Sequence, residues 1–115
     1  MIDIYLSGPM TGFKDKNKAL FLSNAQKLRD AGYYVLNPWE LDCNKPAVTW
    51  AESLRRDIKA LMQCRTVATL PGWKKSKGAS LEVYIAKTLG WQVHSVNYYL
   101  RRQLCPTLSK AYAKV

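Results

Sequence analysis

The strongest constraint on this chain is its punctuation: short β-rich runs alternate with stretches of helical apolar spacing, and glycine or proline closes most of them. Ile2 to Leu6 reads as a first strand, ended by the turn residues Ser7-Gly8-Pro9. From Asn17 to Ala31 the apolar residues Leu20, Phe21, Ala25 and Leu28 recur at helical spacing, and Gly32 supplies the stop. Tyr33 to Leu36 is a second strand, closed by Asn37-Pro38. Trp39 to Val48, with Pro46, reads as a loop. Thr49 offers a cap for the next helix, with Glu52 three residues on, and Trp50, Leu54, Ile58, Leu61 and Met62 form one apolar stripe. Val67 to Leu70 is a third strand, stopped by Pro71-Gly72. A third helix starts at Gly78 or Ala79 and runs to about Leu89, with Gly90 as its stop. Trp91 to Val96 is a fourth strand, and Tyr98 to Leu104 has room for a short helix before Pro106.

Strand–helix–strand units in series imply parallel strands with helices packed on the faces. The expected fold is therefore α/β: a single flavodoxin-like or Rossmann-like domain, with a parallel sheet of about four to five strands and helices on both faces. A length of 115 residues suits one domain. Residues 1–97 are expected to form it, with 98–115 as a basic C-terminal extension. Ligands in such folds sit beyond the carboxyl ends of the strands. That directs attention to the loops Ser7 to Lys14, Asn37 to Val48 and Pro71 to Gly78.

Composition narrows the partners. An apolar share of 48% argues against disorder. No apolar run approaches the roughly 20 residues of a membrane span, so no membrane partner is expected. Met1 to Leu6 lacks the basic start and long apolar core of a secretory signal, which points to the cytoplasm. The three cysteines, Cys43, Cys64 and Cys105, are widely spaced, and the chain has one histidine. Reduced thiols and no metal site are the expectation. His94 falls inside a strand and reads as structural. The net charge of +10 favours anionic partners: nucleotides, nucleic acid or an acidic protein. No acidic residue follows Glu82, whereas Lys87, Arg101, Arg102, Lys110 and Lys114 do, so the last third is positive. A solvated surface that keeps the chain soluble is the alternative reading.

Two carboxylates stand out. Asp57 lies seven residues after Trp50, three after Leu54 and four before Leu61, which puts it on the apolar stripe of its helix. A bare charge there needs a partner or a polar cavity; pairing with Arg55, Arg56 or a backbone donor is the structural alternative. Glu82 is expected in the first turn of the third helix and precedes Ile85, Ala86 and Leu89 at inward spacing. A favourable interaction with the helix dipole is its alternative role. The loop Ser7-Gly8-Pro9-Met10-Thr11-Gly12 is neither a dinucleotide fingerprint nor a Walker A sequence, but its glycines and hydroxyls suit a sugar or phosphate, or a plain turn. The loop from Leu70 to Gly78 combines Trp73, which could stack on a base, with Lys74, Lys75, Ser76 and Lys77 ahead of a helix N-terminus, a setting for phosphate. A solvated basic loop is the alternative.

In combination these residues resemble a known family. Tyr5 to Gly12, Asn37-Pro38, Trp50 with Leu54-Arg55-Arg56-Asp57, Leu70 to Trp73, Ser76 to Ala79 with Glu82, and Ala86 to Gly90 look like an uncharacterised phage and bacterial family (DUF4406-like) of the nucleoside 2-deoxyribosyltransferase-like superfamily. The similarity spans roughly residues 2–96. The resemblance implies a flavodoxin-like fold and N-glycosidase or deoxyribosyltransferase chemistry on a nucleoside or its 5′-monophosphate. It implies Glu82 as nucleophile, Asp57 as the assisting carboxylate, and Tyr5, Ser7, Gly8, Pro9, Met10, Asn37, Trp73, Ser76 and Gly78 around the substrate. It also implies a homo-oligomer, no cofactor, and host cytoplasm if the chain is phage-encoded. Cys64-Arg65 departs from the superfamily, which usually carries an Asp after a small residue at that junction. A binding-only nucleotide sensor or sponge and a basic nucleic-acid-binding accessory protein are the rival readings.

Overall fold

Glycine and capping side chains set the element boundaries in the computed structural model, which describes residues 2–47 and 49–102. Strand β1 spans Ile2–Ser7 and strand β2 Val35–Leu36. Between them lies helix α1, Lys18–Asp30. It buries Phe21, Ala25 and Leu28, three residues at helical spacing on one face. Gly32 ends it with a left-handed φ of 101°, which only glycine adopts without steric conflict. Helix α3, Trp50–Leu61, starts where expected: the Thr49 hydroxyl accepts from the Glu52 N–H at 3.1 Å. Strand β3 is Cys64–Thr69, helix α4 Lys77–Thr88, and strand β4 Val93–Ser95.

Several expectations need correction. The segment read as a loop from Trp39 to Val48 contains a helix, α2, at Pro38–Asn44. Asn37 caps it by accepting from the Trp39 N–H, and Pro38 sits at the first position, where its missing N–H leaves no bond unmade. The fourth strand is shorter than Trp91 to Val96, because Val96 opens helix α5, Val96–Arg101. Helix α4 begins at Lys77, capped by Ser76 through the Ala79 N–H, so Glu82 stands in its second turn and not the first. The apolar stripe of α3 is also narrower than read: Trp50 is 52% exposed and Met62, beyond the helix end, is 46% exposed. Leu104, Cys105, Pro106, Lys110 and Lys114 lie outside the described residues.

The four strands are all parallel, in the order β2-β1-β3-β4. Helices cover both faces, giving the α/β, flavodoxin-like architecture that the alternation implied. One core packs Ile4, Leu6, Ala68 and Leu70 against α1 and α5. The other packs Tyr5 and Val67 against Ala60 and Leu61 of α3 and Val83 and Ala86 of α4. Helix α5 runs across residue 97, and its Tyr99 is buried, donating to the Val67 carbonyl at 2.8 Å. The chain leaves β1 and returns across it to β3, so the sheet changes winding direction at the β1/β3 boundary. In such sheets the carboxyl ends of those two strands form a crevice.

Two features stiffen that crevice. A Cβ on Gly8 would stand 2.7 Å from Leu70 Cβ, so only glycine fits there, and one on Gly72 would stand 3.4 Å from Pro9 Cγ. Asp15, Lys16 and Asn17 all take left-handed backbone angles, unfavourable for residues with a side chain. They are held by three bonds: Lys16 to Asp42 at 2.6 Å, Trp39 Nε1 to the Asp15 carbonyl at 2.9 Å, and Asn17 Nδ2 to the Pro9 carbonyl at 2.9 Å. Among the described residues no helix is long and apolar enough to cross a membrane.

Candidate active site

Strand geometry sends alternate side chains to opposite faces, so Tyr5 and Ser7 emerge together on the α3/α4 side of β1. Both reach Glu82. The Tyr5 hydroxyl donates to Glu82 Oε2 at 2.6 Å, and the Ser7 hydroxyl donates to Oε1 at 2.8 Å. All three side chains are buried. Short bonds of this kind to an ionised acceptor are the strong ones. They hold both carboxylate oxygens in a fixed plane at the carboxyl end of β1.

Glu82 faces a narrow cleft of about 60 Å³. Asp57, from α3, lines the same cleft. The two acidic side chains that helical spacing turned inward therefore do meet across one space. Gly8 and Met10 from the first loop, and Ser76 and Gly78 from the start of α4, line it as well. Trp50, Ser53 and Leu54 of α3 add to the wall, with Thr11, Pro38 and Ala79. Sequence spacing alone does not mark the three α3 residues as site residues; Ser53 and Leu54 lie within one helical turn of Asp57, and Trp50, though half exposed, lies two turns from it.

Other candidates lie elsewhere. Pro9 is buried against Gly72 and is not part of the lining. Asn37 is buried and spends its side-chain oxygen on capping α2. Trp73 packs against the core under α3 and α4 and lines a separate groove, not the cleft. Arg65 is exposed at the amino end of β3, the opposite end of the sheet from the cleft. His94 stacks on Tyr98 with ring centroids 3.7 Å apart and contacts Gln92 at 2.7 Å, away from the carboxylates.

Burial dominates the electrostatics. It raises Glu82 from the ordinary carboxyl range to about 7, against the opposing pull of the Tyr5 and Ser7 hydroxyls, and the nearby Asp57 charge adds to the rise. Asp57 is pushed up to about 6 for the same first reason; Arg56 works against it and Asp42 with it. Arg56 Nε lies 3.3 Å from Asp57, its Nη2 3.4 Å from Asp42, and its Nη1 donates to the Lys45 carbonyl at 3.0 Å. Asp42 in turn pairs with Lys16. A line of alternating charge thus runs from the first loop through α2 to Asp57. Tyr5 is held well above its ordinary value by burial and by Glu82, so it remains a donor. Among the described residues, no three His, Cys, Asp or Glu side chains are grouped as a metal site requires.

Chemically, the site offers two carboxyl groups that both titrate near neutral pH, one of them gripped by two hydroxyls, and a backbone turn with glycine beside both. Residues 2–95 match the family described as "Domain of unknown function (DUF4406)", and the chain belongs to that family. No curated protein matches the chain.

Proposed function

Starting from that family membership and from the paired hydroxyls on Glu82, we propose that the chain cleaves or transfers at the N-glycosidic bond of a nucleoside or nucleoside 5′-monophosphate. The observation that carries this reading is the Glu82 carboxylate, fixed by Tyr5 and Ser7 and facing Asp57 across one cleft. The resemblance to the nucleoside 2-deoxyribosyltransferase-like superfamily supports the same reading. A Glu82 oxygen attacks the anomeric carbon as the bond from carbon to the base nitrogen breaks, and the departing base takes a proton from Asp57. The resulting sugar ester on Glu82 is opened by water, whose proton returns to Asp57, or by a second base.

The cleft is far smaller than the roughly 300–1,000 Å³ of a whole-ligand pocket. It suits the reacting end of a substrate, with the remainder lying over the exposed Trp50 and the Met10 loop. The net charge of +10 favours an anionic substrate, which a 5′-phosphate would supply.

The test is release of free base, followed by chromatography, from a panel of ribo- and deoxyribonucleosides and their 5′-monophosphates. Base release that disappears in Glu82→Gln supports the reading. Binding without release, unchanged by Glu82→Gln, would instead support a nucleotide-binding module without turnover.

A further inference from the structure

Trp73, Lys74 and Lys75, grouped by sequence with the substrate loop, are absent from the lining of the Glu82 cleft. They line a second cavity of about 570 Å³ at the carboxyl ends of β3 and β4. It shares no lining residue with the carboxylate cleft. The loop that leaves β3 separates the two, presenting Trp73 to the groove and Ser76 to the cleft. Unlike the cleft, this groove is the size of an ordinary small-molecule site.

Its lining has a definite chemistry. Leu20, Leu70 and Val96 give an apolar floor, and the half-buried indole of Trp73 gives a flat wall. Lys74 and Lys75 are exposed at the rim, and the Lys74 ammonium already lies 5.8 Å from the centre of the Trp73 ring. Ser95 makes no side-chain capping bond to α5, and the Asn97 amide beside it is exposed. Among the described residues, no carboxylate lines the groove. Two cations beside an aromatic face, with no acidic residue to oppose them, select a negatively charged ligand with a flat apolar body.

We propose that this groove is a second binding site, for a small anion carrying an aromatic ring, of which a nucleoside monophosphate is the simplest case. The ring lies against Trp73 and the apolar floor. The phosphate is held by Lys74 and Lys75, with Ser95 and Asn97 offering hydrogen bonds along the open side. The proposal shares no residue with the glycosidic reading and stands or falls separately from it.

Titrating AMP, adenosine and inorganic phosphate into the ¹⁵N-labelled full chain tests it by amide chemical shifts. AMP is expected to move the amides of Gly72 to Lys75 and Ser95 to Asn97 saturably, equally in wild type and in Asp57→Asn. Adenosine and phosphate alone should each bind at least about tenfold more weakly, as should AMP to the double variant Lys74→Glu/Lys75→Glu. The spectrum of that variant reports directly whether it is folded, and the shift map of the wild type carries the test if it is not. Shifts confined to Gly8–Thr11 and Ser76–Ala79, undiminished AMP binding by a folded double variant, phosphate alone binding as tightly as AMP, or no saturable shift at all would each overturn the proposal.

Discussion

Neighbouring residues of β1 live in opposite environments. Ile4 and Leu6 enter a core made almost wholly of aliphatic and aromatic side chains from α1, β3 and α5. Tyr5 and Ser7, one step out of phase, enter the other side and donate their hydroxyls to a buried carboxylate. The first face gains stability from every group that it buries. The second carries a charge that burial opposes: raising a carboxyl from 4.5 to about 7 corresponds to roughly 3 kcal/mol disfavouring the ionised form. A sheet of four strands thus divides its labour, with one face supplying the stability that lets the other hold an unfavourable group in place.

The contrast can be broken most severely at the carboxylate. Glu82→Gln is expected to lower base release on the order of 10³-fold or more while the chain stays folded, measured by product formation alongside circular dichroism. On the opposite face, Phe21→Ala is expected to cost about 3–5 kcal/mol in urea unfolding, because Phe21 is fully buried in the apolar core. Stability and function should part company at residue 82. The folded protein holds its Glu82 proton to a higher pH than the unfolded chain does, so this group makes stability fall as pH rises from about 4.5 through about 7. Glu82→Gln should therefore raise stability at pH 8 by up to roughly 3 kcal/mol and bring no such gain near pH 4.5, read as the difference in melting temperature between variant and wild type.

Smaller effects sharpen the picture. Removing one donor by Tyr5→Phe should push Glu82 higher still and reduce activity about tenfold at pH 7, with the alkaline side of the pH profile moving in the same direction. Finally, the reaction needs one proton shared by the pair, on Asp57 with Glu82 ionised. The wild-type profile should be bell-shaped with its maximum between about 6 and about 7, whichever macroscopic step belongs to which residue. A flat profile across that range would remove the pair from the rate-determining chemistry.

Much of this arrangement is readable from the residues. The alternation and its glycine stops imply the parallel sheet, and helical spacing alone turns Asp57 and Glu82 inward, where both are buried. What could not be read was their link to β1. The Tyr5–Glu82 contact spans 77 residues and depends on β1 lying beside β3, which is a matter of strand order and not of local pattern. Helix α2 escapes a local reading because Asn37-Pro38 ends a strand and starts a helix with the same two residues. Glu40 in the first turn was the signal that could have decided it. Trp73 misled because a loop has two sides, and sequence does not say which of them a side chain faces.

The close fit of Gly8 against Leu70 has a mechanical meaning. The turns leaving β1 and β3 abut at Gly8 and Leu70, tied also by a 2.8 Å bond from the Leu70 N–H to the Ser7 carbonyl. They form a single partition whose one surface bounds the carboxylates and whose other bounds the groove beside Trp73. A wall so thin cannot be displaced on one side and stay still on the other, and adding even a methyl group at residue 8 would wedge its two halves apart.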